Sequence, residues 1–280
     1  MATTAILFPG QGSQTPEMGE LVQRVRPDLH AAALQAVGED PFARAEDSTR
    51  FAQPAIFCAS LAAFSALSPD IRDAELMAGH SLGELAALVA AESLDEHAGL
   101  RLVALRGELM ARAGEQEGEG GMLALLGRGA ADHAHELAEA HELAVANDNA
   151  PAQVVLSGAR ERLPQAAAAA EEIGLRAREL PVSGAFHSPM MAGAVPEFET
   201  ALGEAEFAQP RARVLSAVTA APFDDFRLRL AQALTMPVRW RETMLALRGL
   251  GAKRFVETGP GRVLTGLAKR TLSDVELINA

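Results

Sequence analysis

Leu76-Met77-Ala78-Gly79-His80-Ser81-Leu82-Gly83-Glu84-Leu85 decides how this chain is read. The apolar run Leu76, Met77, Ala78 enters the segment, and a helix-forming run from Leu85 to Ala91 leaves it. Between them, Gly79-His80-Ser81-Leu82-Gly83 has the spacing of a G-x-S-x-G nucleophile elbow. Glycine lacks the β-carbon that would block a tight strand-to-helix turn, and that turn lifts the Ser81 hydroxyl off the sheet edge at the positive end of the next helix. A serine so placed is built to attack an acyl carbon. The plainer alternative is a glycine-flanked loop serine that only caps a helix.

Outward from this segment, strands and helices alternate. Upstream, Ala5 to Phe8 predicts a buried first strand closed by Pro9-Gly10, and the loop Gln11-Gly12-Ser13-Gln14 follows. Apolar residues recur at helical spacing from Gln53 to Leu67, and Leu94 to Ala113 predicts a long amphipathic helix that Asp95 can cap. Such alternation is what a mainly parallel sheet requires, so the expected class is α/β. The glycine- and acid-rich stretch from Gly114 to Gly121 predicts a solvated crossing rather than an element. Beyond it come a strand at Met122 to Leu126, a helix at Ala131 to His141, strands at Leu143 to Ala146 and Val154 to Leu156, a helix at Glu161 to Ile173 and a strand at Leu175 to Leu180. That βαββαβ order is the ferredoxin-like arrangement. The first pattern then returns, with a helix through Met190 to Leu202, a strand at Val214 to Val218, helices at Phe226 to Leu234 and Arg241 to Leu250, a strand at Arg254 to Glu257 and a last helix from Val263. Residues 118–187 are thus read as a small domain inserted into a large one made of 1–117 and 188–280.

At 280 residues the chain suits one large domain or one domain carrying a smaller one. Its net charge of -12 argues against a general nucleic-acid binder, which needs a concentrated basic surface. The only cysteine, Cys58, lies in an apolar helical pattern with Ile56, Phe57, Leu61 and Phe64. An intrachain disulfide is excluded, and a packed core thiol in a reducing cytoplasm is expected. The opening Met1-Ala2-Thr3-Thr4 has no charged segment leading into an apolar one, and no apolar run approaches the roughly 20 residues of a membrane span.

Serine at neutral pH needs a positioned base, and the chain offers seven histidines. His30, His133, His135 and His141 fall on polar or mixed helical stretches, His97 sits in the first turn of an exposed helix, and His80, adjacent to Ser81, points its side chain elsewhere. His133 and His135 lie two apart, on different faces of a helix, which argues against a shared metal site. His187 differs. It stands in the small and apolar loop Val182-Ser183-Gly184-Ala185-Phe186-His187-Ser188-Pro189, where the chain leaves the inserted domain. It is either the base for Ser81 or a neutral structural histidine at ease in apolar surroundings.

Seven blocks, from Phe8 to Gln14, Gly79 to Glu84, Arg106 to Met110, Asn147 to Gln153, Gly184 to Met191, Pro237 to Trp240 and Glu257 to Gly261, together resemble the malonyl-CoA:acyl carrier protein transacylases of fatty acid synthesis. They occur in family order, and the resemblance covers residues 5 to about 270. The resemblance implies an α/β-hydrolase-like core with a ferredoxin-like inserted subdomain, which agrees with the organisation read from the residues. It assigns the acylated nucleophile to Ser81 and the base to His187. The oxyanion donors it implies are the backbone N–H groups of Leu82 and Gln11. A dinucleotide loop at Gly10-Gln11-Gly12 fails because Thr15 stands where the third glycine belongs.

Arg106 matches the residue that holds the free malonyl carboxylate, a task suited to the planar guanidinium fork. Without the resemblance it reads as a solvated residue of the Leu94 to Ala113 helix. Gln11 and Phe186 complete the implied substrate contacts, and the small Gly184-Ala185 pair resembles the malonyl-type rather than the methylmalonyl-type sequence. Two departures stand out. Ala233 occupies a position where the family often has glutamine, so a backbone carbonyl is left to orient His187 and a Ser-His dyad without a carboxylate is expected. Glu17 replaces a glycine before Met18.

The implied reaction moves malonyl from malonyl-CoA to the phosphopantetheine thiol of an acyl carrier protein, with no resident cofactor or metal, in the cytoplasm, by a monomer. Lys253, Arg254, Arg262, Lys269 and Arg270 are candidates for docking an acidic carrier. Rival readings are a transferase serving a polyketide synthase or a malonate decarboxylase complex, a serine esterase or thioesterase, and a non-catalytic docking module on the same fold.

Overall fold

The computed structural model describes residues 3–116, 120–182 and 184–280. Strand β1 (Thr3–Phe8) is followed by helices α1 (Met18–Val25), α2 (Pro27–Val37), α3 (Thr49–Ala66) and α4 (Pro69–Arg72). Strand β2 (Leu76–Gly79) then turns at Ser81 into α5 (Gly83–Ala90) and α6 (Glu96–Gln116). Next come β3 (Gly120–Leu126), α7 (Ala130–Ala140), β4 (Ala144–Ala150), β5 (Gln153–Ala159), α8 (Leu163–Glu172) and β6 (Arg176–Glu179). The chain closes with α9 (Val195–Glu204), β7 (Arg213–Ser216), β8 (Ala221–Pro222), α10 (Phe226–Gln232), α11 (Trp240–Gly249), β9 (Ala252–Glu257), α12 (Val263–Thr271) and β10 (Glu276–Asn279).

The larger sheet has the order β10-β9-β1-β2-β7-β8, and all its pairs are parallel except β7 with β8. Alternation along β1 explains how it is covered. Ile6 and Phe8 face the cluster that contains Ile56, Phe57 and Leu85, while Ala5 and Leu7 face the cluster of Trp240, Met244 and Leu264. Helices on both faces bury every residue of β2, which is why that strand reads as an unbroken apolar run. The smaller sheet, β4-β5-β3-β6, is antiparallel throughout, as the βαββαβ reading predicts. Among the described residues no helix is long and apolar enough to cross a membrane.

The differences from the sequence reading have local causes. The acidic crossing expected from Gly114 is shorter, because α6 continues to Gln116 and β3 begins at Gly120. Glycine is needed in that strand for close packing, since a β-carbon on Gly120 would lie 2.6 Å from the Ala185 nitrogen. The expected boundary between residues 117 and 118 lies outside the described residues, as does Ser183. The strand expected from Leu143 to Ala146 runs on through Asn147, Asp148 and Asn149 as β4, with register shifts at Val145/Asn147 and Asp148/Ala150. Polar residues are tolerated in this strand because it docks on the segment before α11. The Asp148 N–H donates to the Val238 carbonyl at 2.9 Å, and Arg241 grips the Asp148 carboxylate at 2.7 Å. The helix expected from Met190 begins as a 3-10 turn at Pro189–Ala194 before α9.

Candidate active site

The Ser81 turn is made by backbone contacts that admit no side chains. A β-carbon on Gly79 would fall 1.9 Å from the Gly83 carbonyl carbon, and one on Gly10 would fall 2.5 Å from the His80 carbonyl oxygen. The loop after β1 therefore presses directly on the elbow, and the His80 N–H donates to the Phe8 carbonyl at 2.9 Å. Ser81 itself has φ 54°, a left-handed conformation that costs a non-glycine residue about 1–3 kcal/mol and is found at nucleophile turns. The backbone N–H groups of Leu82, at the head of α5, and of Gln11 make no hydrogen bond among the described residues.

His187 reaches Ser81 from the loop after β6. Its Nε2 lies 2.9 Å from Ser81 Oγ, and its Nδ1 lies 2.8 Å from the Ala233 carbonyl. A carbonyl only accepts, so Nδ1 carries the proton and Nε2 presents its lone pair to the serine hydroxyl. The residue is 5% exposed. Burial first, then the Arg106 cation and His80, push its pKa down to about 3, against the raising pull of the Ala233 and Met236 backbone. The ring is neutral and oriented by a main-chain oxygen. No side chain at position 233 is required for that.

Arg106 is the largest departure from a plain helix reading. Instead of facing solvent from α6 it is 3% exposed, with Nη1 donating to Gln53 Oε1 at 2.7 Å and Nη2 donating to Ser81 Oγ at 3.1 Å. Burial lowers its pKa to about 10, partly offset by Glu84, so it stays charged at neutral pH. Gln53 Nε2 donates to Thr49 Oγ1 at 2.9 Å, and Thr49 donates to the Gln11 side-chain oxygen at 2.7 Å. One chain of hydrogen bonds thus runs Gln11, Thr49, Gln53, Arg106, Ser81, His187, Ala233.

The sequence reading missed Thr49 and Gln53, although a lone glutamine in the apolar run Ala52-Gln53-Pro54-Ala55 is a visible signal. It also set His80 aside. His80 turns from the Ser81 hydroxyl, yet it forms part of the cavity wall, with Nε2 2.8 Å from Asn149 Oδ1 and its ring edge-on to Trp240 at 5.3 Å between centroids. Burial lowers its pKa as well.

A cavity of about 680 Å³ joins Gln11, Ser81, Arg106, Phe186 and His187, so every implied contact residue lines it. Such a site can acylate the serine and keep an anionic group beside it. The five docking candidates are not gathered around this cavity. β9 is parallel to β1 and α12 runs back from its end, so Lys253, Arg254, Lys269 and Arg270 lie at the end of the sheet opposite Ser81. Only Arg262, at the head of α12, is on the same side, and its Nε donates to Asn279 Oδ1 at 3.1 Å. Arg254 is paired with Glu276 at 2.7 Å.

A family profile described as "Acyl transferase domain" matches residues 6–279. The chain is 38% identical over 288 residues to the polyketide biosynthesis malonyl CoA-acyl carrier protein transacylase PksC of Bacillus subtilis, covering 96% of this chain and 97% of PksC. It is 39% identical over 281 residues to the polyketide biosynthesis protein ThaF of Burkholderia thailandensis, covering 96% of this chain but 24% of ThaF. The crystal structure of a malonyl CoA-acyl carrier protein transacylase from Clostridium perfringens superposes with a TM-score of 0.91 at 29% identity, covering 100% of this chain and 93% of that one.

Proposed function

Because the chain belongs to the malonyl-CoA:acyl carrier protein transacylase family, we propose that it carries a malonyl group from malonyl-CoA to a carrier-protein thiol through an ester on Ser81. The observation that carries this reading is the bracketing of Ser81 Oγ by His187 Nε2 at 2.9 Å and Arg106 Nη2 at 3.1 Å inside one cavity. In the first half-reaction the Ser81 proton passes to Nε2 as Oγ attacks the thioester carbonyl. The Leu82 and Gln11 N–H groups receive the oxyanion, each worth on the order of 3 kcal/mol in the transition state. Collapse breaks the carbon–sulfur bond, and the imidazolium returns its proton to the departing CoA sulfur. The second half runs in reverse: Nε2 takes the proton of the carrier thiol, sulfur attacks the ester, and Ser81 leaves with the proton.

Arg106 pairs with the malonyl carboxylate, exchanging its bond to Ser81 for a charged partner. Removing one side of such a buried pair costs about 3 kcal/mol, on the order of a hundredfold in rate. Intact mass after exposure to malonyl-CoA tests this. The wild type should gain one malonyl group, Ser81→Ala none, and Arg106→Ala should acylate about a hundredfold more slowly with malonyl-CoA while changing far less with acetyl-CoA. Release of free malonate without a carrier, at the rate of transfer with one, would point instead to a thioesterase.

For the acceptor we propose the carrier of fatty acid synthesis. The likeness to PksC and ThaF, both named for polyketide biosynthesis, favours a polyketide carrier as a second reading. Transfer rates to the two holo-carriers in competition separate them.

A further inference from the structure

We infer that Arg178 anchors the phosphate at the far end of a pantetheine thioester, a step that rests on the transacylase reading above. The wall of the cavity supplied by the small sheet includes Arg160, Arg178 and Glu179, none of which the reaction uses. Arg160 is occupied with the wall itself. Its Nη1 lies 3.2 Å from the Glu179 carboxylate, and its Nη2 donates to the carbonyls of Val182 at 3.0 Å and Gly120 at 3.3 Å. It therefore ties the start of β3 to the segment that leads toward His187.

Arg178 is different. It lies on β6, an edge strand paired only with β3, and it is exposed at the cavity rim with no ion pair or hydrogen bond among the described residues.

The charges along the cavity give this position a meaning. Of the lining carboxylates, Glu179 is taken by Arg160, Asp47 is held by Arg44 at 2.8 Å, and Glu46 lies 3.4 Å from Gln14 Nε2. Two cations remain without a carboxylate in contact: Arg106 at the buried end and Arg178 at the rim. The lining residues that follow along the chain from Arg178 toward His187 include the uncharged Leu180, Pro181 and Val182. A malonyl thioester of phosphopantetheine has the matching order, a carboxylate, an uncharged arm and a phosphate. Guanidinium suits phosphate as it suits carboxylate, through paired N–H donors. Both substrates of the proposed reaction carry this arm, so the same anchor serves the CoA diphosphate and the phosphodiester of a carrier.

The test compares thioesters with and without the phosphate. Acylation of Ser81 is followed with malonyl-CoA and with malonyl-pantetheine, for the wild type and for Arg178→Ala, Arg178→Glu and Arg178→Lys. The ratio of kcat/KM for malonyl-CoA over malonyl-pantetheine should fall at least fivefold in Arg178→Ala and further in Arg178→Glu, mostly through KM, and should recover in Arg178→Lys. A parallel loss in deacylation by holo-carrier, relative to free pantetheine, extends the anchor to the carrier; a loss confined to the CoA arm assigns it to CoA. A ratio that stays within twofold of wild type overturns the anchor while leaving the transacylase reading intact. If the wild type is not acylated by either thioester, that reading fails and the anchor falls with it.

Discussion

Protonation of His187 is opposed by burial, by the Arg106 cation and by His80, and its pKa is pushed down to about 3. In the proposed reaction a malonyl carboxylate on Arg106 would offset the second of these, so seating that acyl group should make the base stronger. An acetyl group leaves the ring as it was, and selectivity should therefore show in kcat as well as in KM. The same shift couples to stability. Unfolded, the ring titrates near its usual 6.5, so between that pH and about 3 the unfolded chain binds a proton that the native one refuses. The contribution is intact above pH 6.5 and is lost as pH falls through that window. Relative to a His187→Gln variant, which lacks the titration, the wild type should lose about 2 kcal/mol between pH 7 and pH 5. Urea unfolding at the two pH values measures it, and a parallel response of both proteins would contradict it.

The approach of α6 to α3 decides where the Arg106 guanidinium sits. Gly107 makes that approach possible, because a β-carbon there would lie 2.8 Å from the Thr49 carbonyl oxygen. Gly107→Ala should push α6 away from the first turn of α3 and separate Arg106 from Gln53. We expect a loss of about 1–3 kcal/mol in stability and a fall in the preference for malonyl over acetyl donors, read from the two acylation rates. Such a contact leaves little trace in the sequence, where Gly107 is one helix glycine among polar neighbours. What did show were the strands buried on both faces and the Gly79 to Gly83 turn, since burial and tight turns act on residue type directly. The burial of Arg106 did not show, because helical spacing says which residues share a face and not which helix covers it. Helices α1 and α2 were missed for a related reason. In α1 only Met18 and Val22 are buried, and in α2 only Leu29 and Ala33, too narrow a stripe to stand out. Strand β10, with Leu277 and Ile278 half-buried at the sheet edge, is too short for alternation to register.

At the scale of the molecule, the site draws on both sheets. The turn after β2 of the large sheet supplies Ser81, helix α6 supplies Arg106, and the segment leaving the small sheet supplies His187. Asn149 on β4 closes the joint: its Oδ1 accepts from Nε2 of His80, the residue beside the nucleophile, at 2.8 Å. Asn149→Ala leaves that imidazole nitrogen without its partner, at a cost of about 1–3 kcal/mol. The urea midpoint followed by circular dichroism should fall accordingly, and Ser81 acylation should slow even where the variant remains folded; unchanged acylation would show that the joint is dispensable for positioning. Trp240, fully buried and edge-on to His80, stands at this same joint. It is the only tryptophan in a chain without tyrosine, so the intrinsic fluorescence of the whole protein arises from one indole touching the elbow histidine. Any event that alters this contact, whether ligand binding beside the elbow or a parting of the two sheets, should be readable optically, in real time, with no dye attached.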